Sequence, residues 1–308
     1  MFKNLAGIEI GGTKLQMVIA DEKARILNQY RLDVRKELGA EGIRAQIGRL
    51  LSEWRRHHLQ LAGIGVGFGG PLNVESGLII CSHQIEGWER FNLKEWILSV
   101  YGSTCVRIEN DANTAALGEA RCGAGKGANP VMYVTLGSGV GGGAVVDGKV
   151  YHGAEPGEIE IGHIRLDKEG RTVEGSCSGW AVDQKILSSI QEKPDTRLAQ
   201  LCAALHSKQA AALLPALEEG DEEALRILDE TADDLAFGLS HAVHLVHPEA
   251  IILGGGLSLL GEPLRRAVAE RIQRYIMQAF QPGPDIRLAQ LGEQAVPIGA
   301  LELVRDCC

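Results

Sequence analysis

The chain has 308 residues and a formal net charge of −9, from 31 lysine and arginine residues against 40 aspartate and glutamate residues. Hydrophobic residues make up 45% and charged residues 23% of the chain, as in an ordinary globular protein. The length favours two domains over one core, and the negative charge argues against nucleic acid or an anionic membrane as a general partner.

The first third of the chain alternates strand and helix signals. Short apolar runs predict strands at residues 5–10, 15–20, 25–32, 62–66 and 105–108. Apolar residues at helical spacing predict helices over residues 43–54, 93–100 and 112–122.

A second alternating unit follows the glycine-rich stretch at residues 123–130. Strands are predicted at residues 131–136, 144–146, 250–253 and 286–289, and helices dominate from residue 178, with the longest over residues 225–246. The order strand, glycine turn, strand at residues 5–20 recurs at residues 131–146. This repetition predicts two related α/β halves that face each other across a cleft.

Targeting signals and a disulfide framework are not evident. No apolar stretch reaches membrane-spanning length, and the first twelve residues lack the long apolar region of a signal peptide. The seven cysteines are scattered and odd in number, which suits reduced thiols. We therefore expect a cytoplasmic protein without a membrane partner.

Three glycine-rich turns directly follow predicted strands: Gly11-Gly12-Thr13-Lys14, Gly137-Ser138-Gly139 and Gly254-Gly255-Gly256. Consecutive backbone amides in such turns form an anion-binding nest, although any one of them alone could be only a tight turn. Three together, two of them at matching places in the two halves, predict phosphate binding. A Walker A loop is excluded because Gly127 follows Lys126, and the GxGxxG at residues 137–142 precedes a strand instead of opening a helix.

Two polar segments could carry chemistry. Glu109-Asn110-Asp111 stands where a strand ends, so a carboxylate there could accept a proton from a substrate hydroxyl, but local sequence favours a helix N-cap. Glu160-Ile161-Gly162-His163 could hold a polyhydroxylated ligand or could be a solvated pair. Glu174 is uninformative by itself.

In order along the chain, these motifs resemble the ROK family of sugar kinases and repressors. The matching segments are EIGGTK (9–14), GFGGP (67–71), NDAN before ALGE (110–119), TLGSGVGGG (135–143), EIGH (160–163), GGGLS (254–258) and IGA (298–300). The resemblance implies an α/β, two-lobed actin-like ATPase (ribonuclease H-like) fold with a central cleft. It implies a smaller domain from residues 1–111 plus 293–308 and a larger one from residues 112–292.

The resemblance also implies roles for single residues. Asp111 would be the catalytic base, and the sugar would contact Gly70, Asn110, Glu160, His163 and Glu174. ATP would lie on the three turns, at Gly11, Gly12, Thr13, Lys14, Gly137, Ser138, Gly139, Gly254 and Gly255. Glu9 would lie near Mg²⁺, with water between them. The implied reaction is ATP-dependent phosphorylation of a hexose at the 6-hydroxyl of glucose or a similar sugar, by a homodimer.

Three positions depart from the family pattern. Glu9 replaces the usual Asp, Gln84 replaces the usual Asn before Trp88, and Cys177 alone remains of the cysteine motif that binds zinc together with the EIGH histidine. One Cys and one His cannot build a four-ligand structural site, so we expect no structural zinc. A hydrogen-bond partner within residues 171–174 is then expected to orient His163.

Several alternatives remain open. The sugar could be mannose, fructose or an N-acetylhexosamine, and the donor could be polyphosphate. The chain could also be a sugar-binding protein without catalytic activity. A repressor of this family would carry a helix-turn-helix domain ahead of the first glycine turn, which here already begins at Gly11, so we do not expect one.

Overall fold

The computed structural model describes residues 4–82, 84–154, 157, 159–205 and 208–305. Its strands are β1 (Asn4–Ile10), β2 (Leu15–Ala20), β3 (Ile26–Leu32), β4 (Leu61–Phe68), β5 (Leu72–Asn73), β6 (Leu78–Ile79), β7 (Cys105–Asn110), β8 (Val131–Leu136), β9 (Val140–Val146), β10 (Lys149–Val150), β11 (Ala250–Gly254) and β12 (Asp285–Leu288). Its α-helices are α1 (Gly39–Arg56), α2 (Leu93–Tyr101), α3 (Asp111–Cys122), α4 (Val173–Cys177), α5 (Gly179–Glu192), α6 (Arg197–Cys202), α7 (Leu213–Glu218), α8 (Glu222–Val246), α9 (Glu262–Ile272) and α10 (Ala295–Arg305). No helix in these ranges is both long and apolar enough to span a membrane.

The chain divides into two compact units. Unit 1 comprises Met1–Lys126, Gly143–Glu158 and Leu291–Cys308, and unit 2 comprises Gly127–Gly142 and Ile159–Gln290. The domains predicted from the sequence, residues 1–111 plus 293–308 and residues 112–292, stay a prediction.

The first sheet, in the order β3-β2-β1-β4-β7, belongs to unit 1. Strands β1, β4 and β7 run parallel, with Ile10 opposite Phe68 and Phe68 opposite Asn110. The carboxyl ends of these strands therefore meet at one edge, where Gly11, Gly69 and Asp111 follow them. This shared edge explains why residues far apart in the sequence can build one site.

Close helix packing fixes the start of α3. A methyl group added at Gly299 of α10 would lie 1.8 Å from the carbonyl oxygen of Thr114, and one added at Gly118 would lie 2.5 Å from that of Ala295. Glycine is thus needed on both helices for their backbones to approach. The contact anchors α3, whose first residue is Asp111.

The second sheet has the order β10-β9-β8-β11-β12, with β8, β11 and β12 parallel. Gly254 at the end of β11 pairs with Thr135 of β8, so the turns after these two strands are neighbours. Unit 2 buries an apolar core that includes Met132, Leu235 and Ile251. The helical spacing predicted over residues 225–246 corresponds to α8, which begins slightly earlier, at Glu222, with Asp221 as its N-cap.

Candidate active site

The first glycine turn closes between β1 and β2, where the Gly11 amide donates to the Lys14 carbonyl oxygen at 2.8 Å. Thr13 at its tip is exposed. A methyl group added at Gly12 would lie 1.8 Å from Oε1 of Gln84. The Gln84 side chain therefore lies directly on this turn, which the sequence did not predict.

Asp111 is the first residue of α3 and is partly exposed. Its Oδ1 accepts a hydrogen bond of 2.8 Å from the Ala112 amide. Desolvation raises the pKa of Asp111 to about 6; the bond from Ala112 lowers it in part, and the negative charge of Glu9 raises it further. A carboxylate with this pKa is ionised at neutral pH but binds a proton more readily than an ordinary aspartate, which suits a general base.

Gly69 lies between the Asp111 carboxylate and the first glycine turn. A methyl group added at Gly69 would be 3.2 Å from Oδ2 of Asp111 and 3.7 Å from the Cα of Gly11. The Gly69 amide also donates to the Ile10 carbonyl oxygen at 2.9 Å. The candidate base and the candidate phosphate turn are thus separated by a single residue without a side chain.

The neighbouring Gly70 is also sterically restricted. A methyl group at this position would lie 2.7 Å from the carbonyl oxygen of Cys81. The segment that contains Cys81 therefore packs directly on the GFGGP turn, where the resemblance places one wall of a sugar pocket.

Asn110 combines the two roles that the sequence left open. Its Oδ1 accepts hydrogen bonds from the amides of Ala112 at 2.8 Å and Asn113 at 3.2 Å, so it is the N-cap of α3. Within the described residues its Nδ2 makes no hydrogen bond and can donate to a ligand oxygen. The cap holds the side chain, and the amide nitrogen remains available.

Glu9 is nearly buried at the end of β1, and its Oε2 accepts a 2.8 Å hydrogen bond from Nε2 of Gln16 and lies 3.5 Å from Nζ of Lys14. Burial raises the pKa of Glu9, and the charge of Lys14 offsets part of that rise. Its Oε1 has no partner among the described residues. A carboxylate oxygen suits Mg²⁺ or a water bound to it. No group of three or more His, Cys, Asp or Glu side chains in those ranges could hold a metal, so phosphates and water would supply the direct ligands.

The second and third glycine turns are adjacent in unit 2. The Gly137 amide donates to the Gly139 carbonyl oxygen at 2.9 Å, and Ser138 between them is exposed. Gly255, with φ of +81°, lies so close to Leu136 that an added methyl group would be 2.6 Å from that residue's backbone. Gly255 therefore has no room for a side chain, and at both turns a ligand can approach the glycine backbone.

Glu160 and His163 are near each other on the surface of unit 2. Their Oε2 and Nε2 atoms are 3.9 Å apart, and the side chains are 59% and 75% exposed. A 3₁₀ helix over Ile161–His163 joins them, and Gly162 packs against the Val140 backbone. Both side chains are therefore accessible to a ligand.

Within the described part of the chain, no residue of 171–174 makes a hydrogen bond to the side chain of His163, contrary to expectation. Arg171 pairs with Asp234 at 2.6 Å, and Glu174 accepts from the Val140 amide at 2.9 Å. Glu160 is instead the acidic neighbour of His163. The prediction was wrong because the hairpin of residues 165–172 directs Arg171 toward α8.

Cys177 has the properties of a core residue. It is fully buried, and its Sγ lies 3.6 Å from the carbonyl oxygen of Thr231. Burial raises the pKa of its thiol to about 12. The thiol is thus part of the apolar core of unit 2.

A polar network around the buried side chain of Glu109 was missed by sequence reasoning. Oε2 of Glu109 lies 2.6 Å from Nε2 of His152, while its Oε1 accepts from the Asn110 amide at 2.9 Å and from Nδ2 of Asn113 at 3.1 Å. The network fixes the junction of β7 and α3. His152 lies 43 residues from Glu109, and no local pattern links the two.

The predicted site residues thus form two groups, one in each unit. Unit 1 carries Glu9, Gly11, Gly12, Thr13, Lys14, Gly70, Asn110 and Asp111. Unit 2 carries Gly137, Ser138, Gly139, Glu160, His163, Glu174, Gly254 and Gly255.

Comparison with known proteins agrees with this arrangement. The ROK family model matches residues 5–307. A glucokinase of Halalkalibacterium halodurans is 30% identical over 97% of this chain and 94% of its own. The crystal structure of a ROK family glucokinase from Streptomyces griseus in complex with glucose and AMPPNP is 29% identical, with a TM-score of 0.82 over 99% of this chain and 100% of the other. A ROK hexokinase from Thermus thermophilus is 28% identical, with a TM-score of 0.81 over 98% and 99% of the two chains.

These matches define first a class and then a family. The fold is the two-lobed fold of the actin-like ATPases, as the sequence predicted. Within that class the chain belongs to the ROK family.

Proposed function

We propose that the protein is an ATP-dependent hexose kinase, which phosphorylates the 6-hydroxyl of glucose or a glucose-like sugar. The observation that carries the proposal is the position of Asp111, whose carboxylate is separated from the first glycine turn by Gly69 alone. The names of the relatives, glucokinase and hexokinase, support the same reaction. So does the Streptomyces griseus enzyme, which was crystallised with glucose and AMPPNP.

The proposed chemistry is a proton transfer combined with positioning. Asp111 accepts the proton of the attacking hydroxyl, and its pKa of about 6 leaves it ionised at neutral pH. Nδ2 of Asn110 donates to a sugar oxygen and holds the hydroxyl in place. Positioning and charge stabilisation account for most of the rate enhancement in phosphoryl transfer, because little covalent catalysis is required.

The donor side follows from the glycine turns. Their backbone amides hold the phosphates of ATP, and Gly254 and Gly255 lie near the adenosine. Mg²⁺, when bound, neutralises charge on the phosphates. Glu9 would hold the ion through water on Oε1, the oxygen that Gln16 and Lys14 leave open.

The acceptor side adds Gly70, Glu160, His163 and Glu174 as sugar contacts. The exposed carboxylates of Glu160 and Glu174 can accept hydrogen bonds from hydroxyls, and such charge-assisted bonds are the strong ones. The proposal includes a cytoplasmic location and a homodimer, the commonest oligomer.

A kinase assay across a sugar panel tests this function. ADP release is measured with ATP and with polyphosphate as donors, against glucose, mannose, fructose and N-acetylated hexosamines, and the phosphorylated carbon is located by NMR. We expect ATP-dependent turnover of glucose or a glucose-like hexose at the 6-position. Sugar binding by calorimetry without ADP release for any sugar would instead favour a sugar-binding protein without catalytic activity.

A further inference from the structure

Glu174 lies on the second glycine turn, although the sequence placed it only at the sugar. Its Oε2 accepts a 2.9 Å hydrogen bond from the amide of Val140, the residue after Gly139. A methyl group added at Gly139 would lie 2.4 Å from the same oxygen. One carboxylate oxygen of Glu174 is therefore hydrogen-bonded to the turn that is proposed to hold phosphate.

The other carboxylate oxygen is open. Oε1 of Glu174 makes no hydrogen bond to any residue that the structure describes, and the side chain is exposed. A carboxylate accepts through both of its oxygens, so Oε1 can receive a sugar hydroxyl while Oε2 keeps the Val140 amide.

Helix α4 ties Glu174 to the sugar-binding segment. Oγ1 of Thr172 caps the helix by accepting from the Gly175 amide at 3.1 Å. The fully buried Val173 donates its amide to the Ile164 carbonyl oxygen at 3.0 Å, next to His163. The backbone on the N-terminal side of Glu174 is thus fixed to the EIGH segment.

The C-terminal side of Glu174 is fixed to the turn as well. The Ser178 amide donates to the Glu174 carbonyl oxygen at 3.1 Å, and the Gly179 amide donates to that of Gly137 at 2.7 Å. Two hydrogen bonds therefore hold the turn at Gly137 and at Val140, both from the segment that carries Glu174. A change in the position of Glu174 must act on the geometry of the turn.

We propose that Glu174 is a positioning residue that couples sugar binding to nucleotide binding. A hydroxyl on Oε1 fixes the rotamer of Glu174, and Oε2 then holds the Val140 amide in the geometry that the phosphates require. Because binding linkage is reciprocal, sugar and nucleotide should each tighten the binding of the other by the same factor. This inference rests on the proposed function.

Calorimetry with AMPPNP, which is not turned over, measures the coupling directly. The dissociation constant for AMPPNP is determined without sugar and with a saturating concentration of the hexose that the kinase assay identifies. We expect the ratio in the wild-type protein to fall in the range of about 5–150 that is usual for coupled sites. In Glu174→Ala the ratio should drop to within about twofold of unity, because sugar binding then no longer changes the contacts that hold the phosphate turn.

Two further variants separate coupling from simple loss of a contact. Glu160→Gln changes a proposed sugar ligand whose ion-pair neighbour is His163 and not the turn, so it should weaken the hexose and keep the wild-type ratio. Glu174→Gln keeps an acceptor for the Val140 amide and preserves the shape of the side chain, so it should fold even if Glu174→Ala does not, with a ratio between the other two.

The outcomes distinguish this inference from the proposed function. A wild-type protein that binds AMPPNP but no hexose would contradict the function. A wild-type ratio near unity, or a ratio that is unchanged in both Glu174→Ala and Glu174→Gln, would contradict the coupling role alone.

Discussion

Gln16 faces Glu9 across the antiparallel pair of β1 and β2, and its Nε2 donates a hydrogen bond of 2.8 Å to Oε2 of Glu9. Gln16 is fully buried, and its amide also bonds to the Glu293 carbonyl oxygen and to Nε2 of Gln29. A glutamate reaches one methylene further than the aspartate expected from the family resemblance. Gln16 fixes that longer side chain and determines which carboxylate oxygen stays open.

Replacing Gln16 by methionine should therefore affect both stability and metal dependence. Gln16→Met keeps the length of the side chain but removes its hydrogen bonds, so the free energy of unfolding should fall by about 1–3 kcal/mol. The Mg²⁺ concentration for half-maximal turnover should rise severalfold, while the sugar KM stays close to that of the wild type. Urea denaturation and a Mg²⁺ titration of the kinase reaction measure the two effects.

Gln29→Met is the matched control, because Gln29 contacts Gln16 but not Glu9. It should lose some stability without a change in the Mg²⁺ requirement. If Gln16→Met behaves in the same way, Gln16 only supports the fold.

Asp111→Asn should lower turnover by about 10²–10⁴-fold, the usual contribution of a general base. The amide retains an oxygen for the Ala112 bond, so the fold and the hexose dissociation constant should change little. Steady-state kinetics and calorimetry test the two statements. Asp21→Asn removes a partly exposed carboxylate that pairs with Arg25, and it should leave turnover unchanged. Wild-type turnover in Asp111→Asn would exclude the residue as the base.

The raised pKa of Asp111 has consequences for pH dependence. The base must be ionised to accept a proton. The kcat/KM for the sugar should therefore decrease as pH falls through about 6, with the pH dependence expected for protonation of a single group. The folded-state pKa lies above the value of 3.8 for an unperturbed aspartate. The favourable contribution of this group to stability is therefore complete below pH 3.8 and is lost as pH rises through 6.

Asp111→Asn should for this reason be more stable than the wild type at pH 8, by at most about 3 kcal/mol, and the difference should shrink toward pH 4. Urea denaturation at several pH values measures it. If Asp111→Asn were less stable than the wild type by the same amount at pH 4 and pH 8, the carboxylate would not be desolvated in the folded state.

Local patterns were sufficient to predict much of the fold. The apolar run at residues 15–20 predicts β2, because that strand is buried along its whole length. The helical spacing at residues 225–246 predicts most of α8, because that helix buries one face. Strand β9 begins at Val140, inside the predicted glycine loop, since close contacts such as that of Gly142 with Ile161 require glycine within a strand.

Such local patterns could not predict the polar contacts of the site. The bond from Glu174 to Val140 joins residues 34 apart, and the pairing of Glu109 with His152 spans 43 residues. Only Gln16 left a signal, as a lone polar residue in an otherwise apolar strand. Even there the sequence does not tell which neighbour its amide contacts.

Glu160→Gln should mainly weaken sugar binding. A hydroxyl that loses a charge-assisted acceptor loses about 1.5–3 kcal/mol, so the sugar KM should rise by roughly one to two orders of magnitude. The ATP KM should stay within a factor of about two. Glu169→Gln is a suitable control, because it changes an exposed carboxylate in the loop before the isolated β-bridge at Thr172. An unchanged sugar KM with an altered ATP KM would contradict the assignment of Glu160.

The protein should also be active without zinc. Cys177 is a buried thiol whose pKa is raised to about 12, and the acidic neighbour of His163 is Glu160. The segment where the family resemblance would place zinc is fixed by other contacts, since Arg171 bonds to Asp234 at 2.6 Å and Val173 is fully buried. Ion pairing and apolar burial together fix the segment that precedes Glu174.

Elemental analysis of protein purified without added metal should therefore find zinc far below one equivalent. Treatment with EDTA, which is removed before the assay, should leave sugar phosphorylation intact once Mg²⁺ is restored. Cys177→Ala should retain full turnover and lose only about 1 kcal/mol of stability, as for a small buried group. Arg171→Met, which breaks the ion pair with Asp234, should instead raise the sugar KM, because it loosens the segment that carries Glu174. Near-stoichiometric zinc, whose removal by EDTA abolishes activity in the wild type and whose content falls in Cys177→Ala, would show that a metal holds this segment after all.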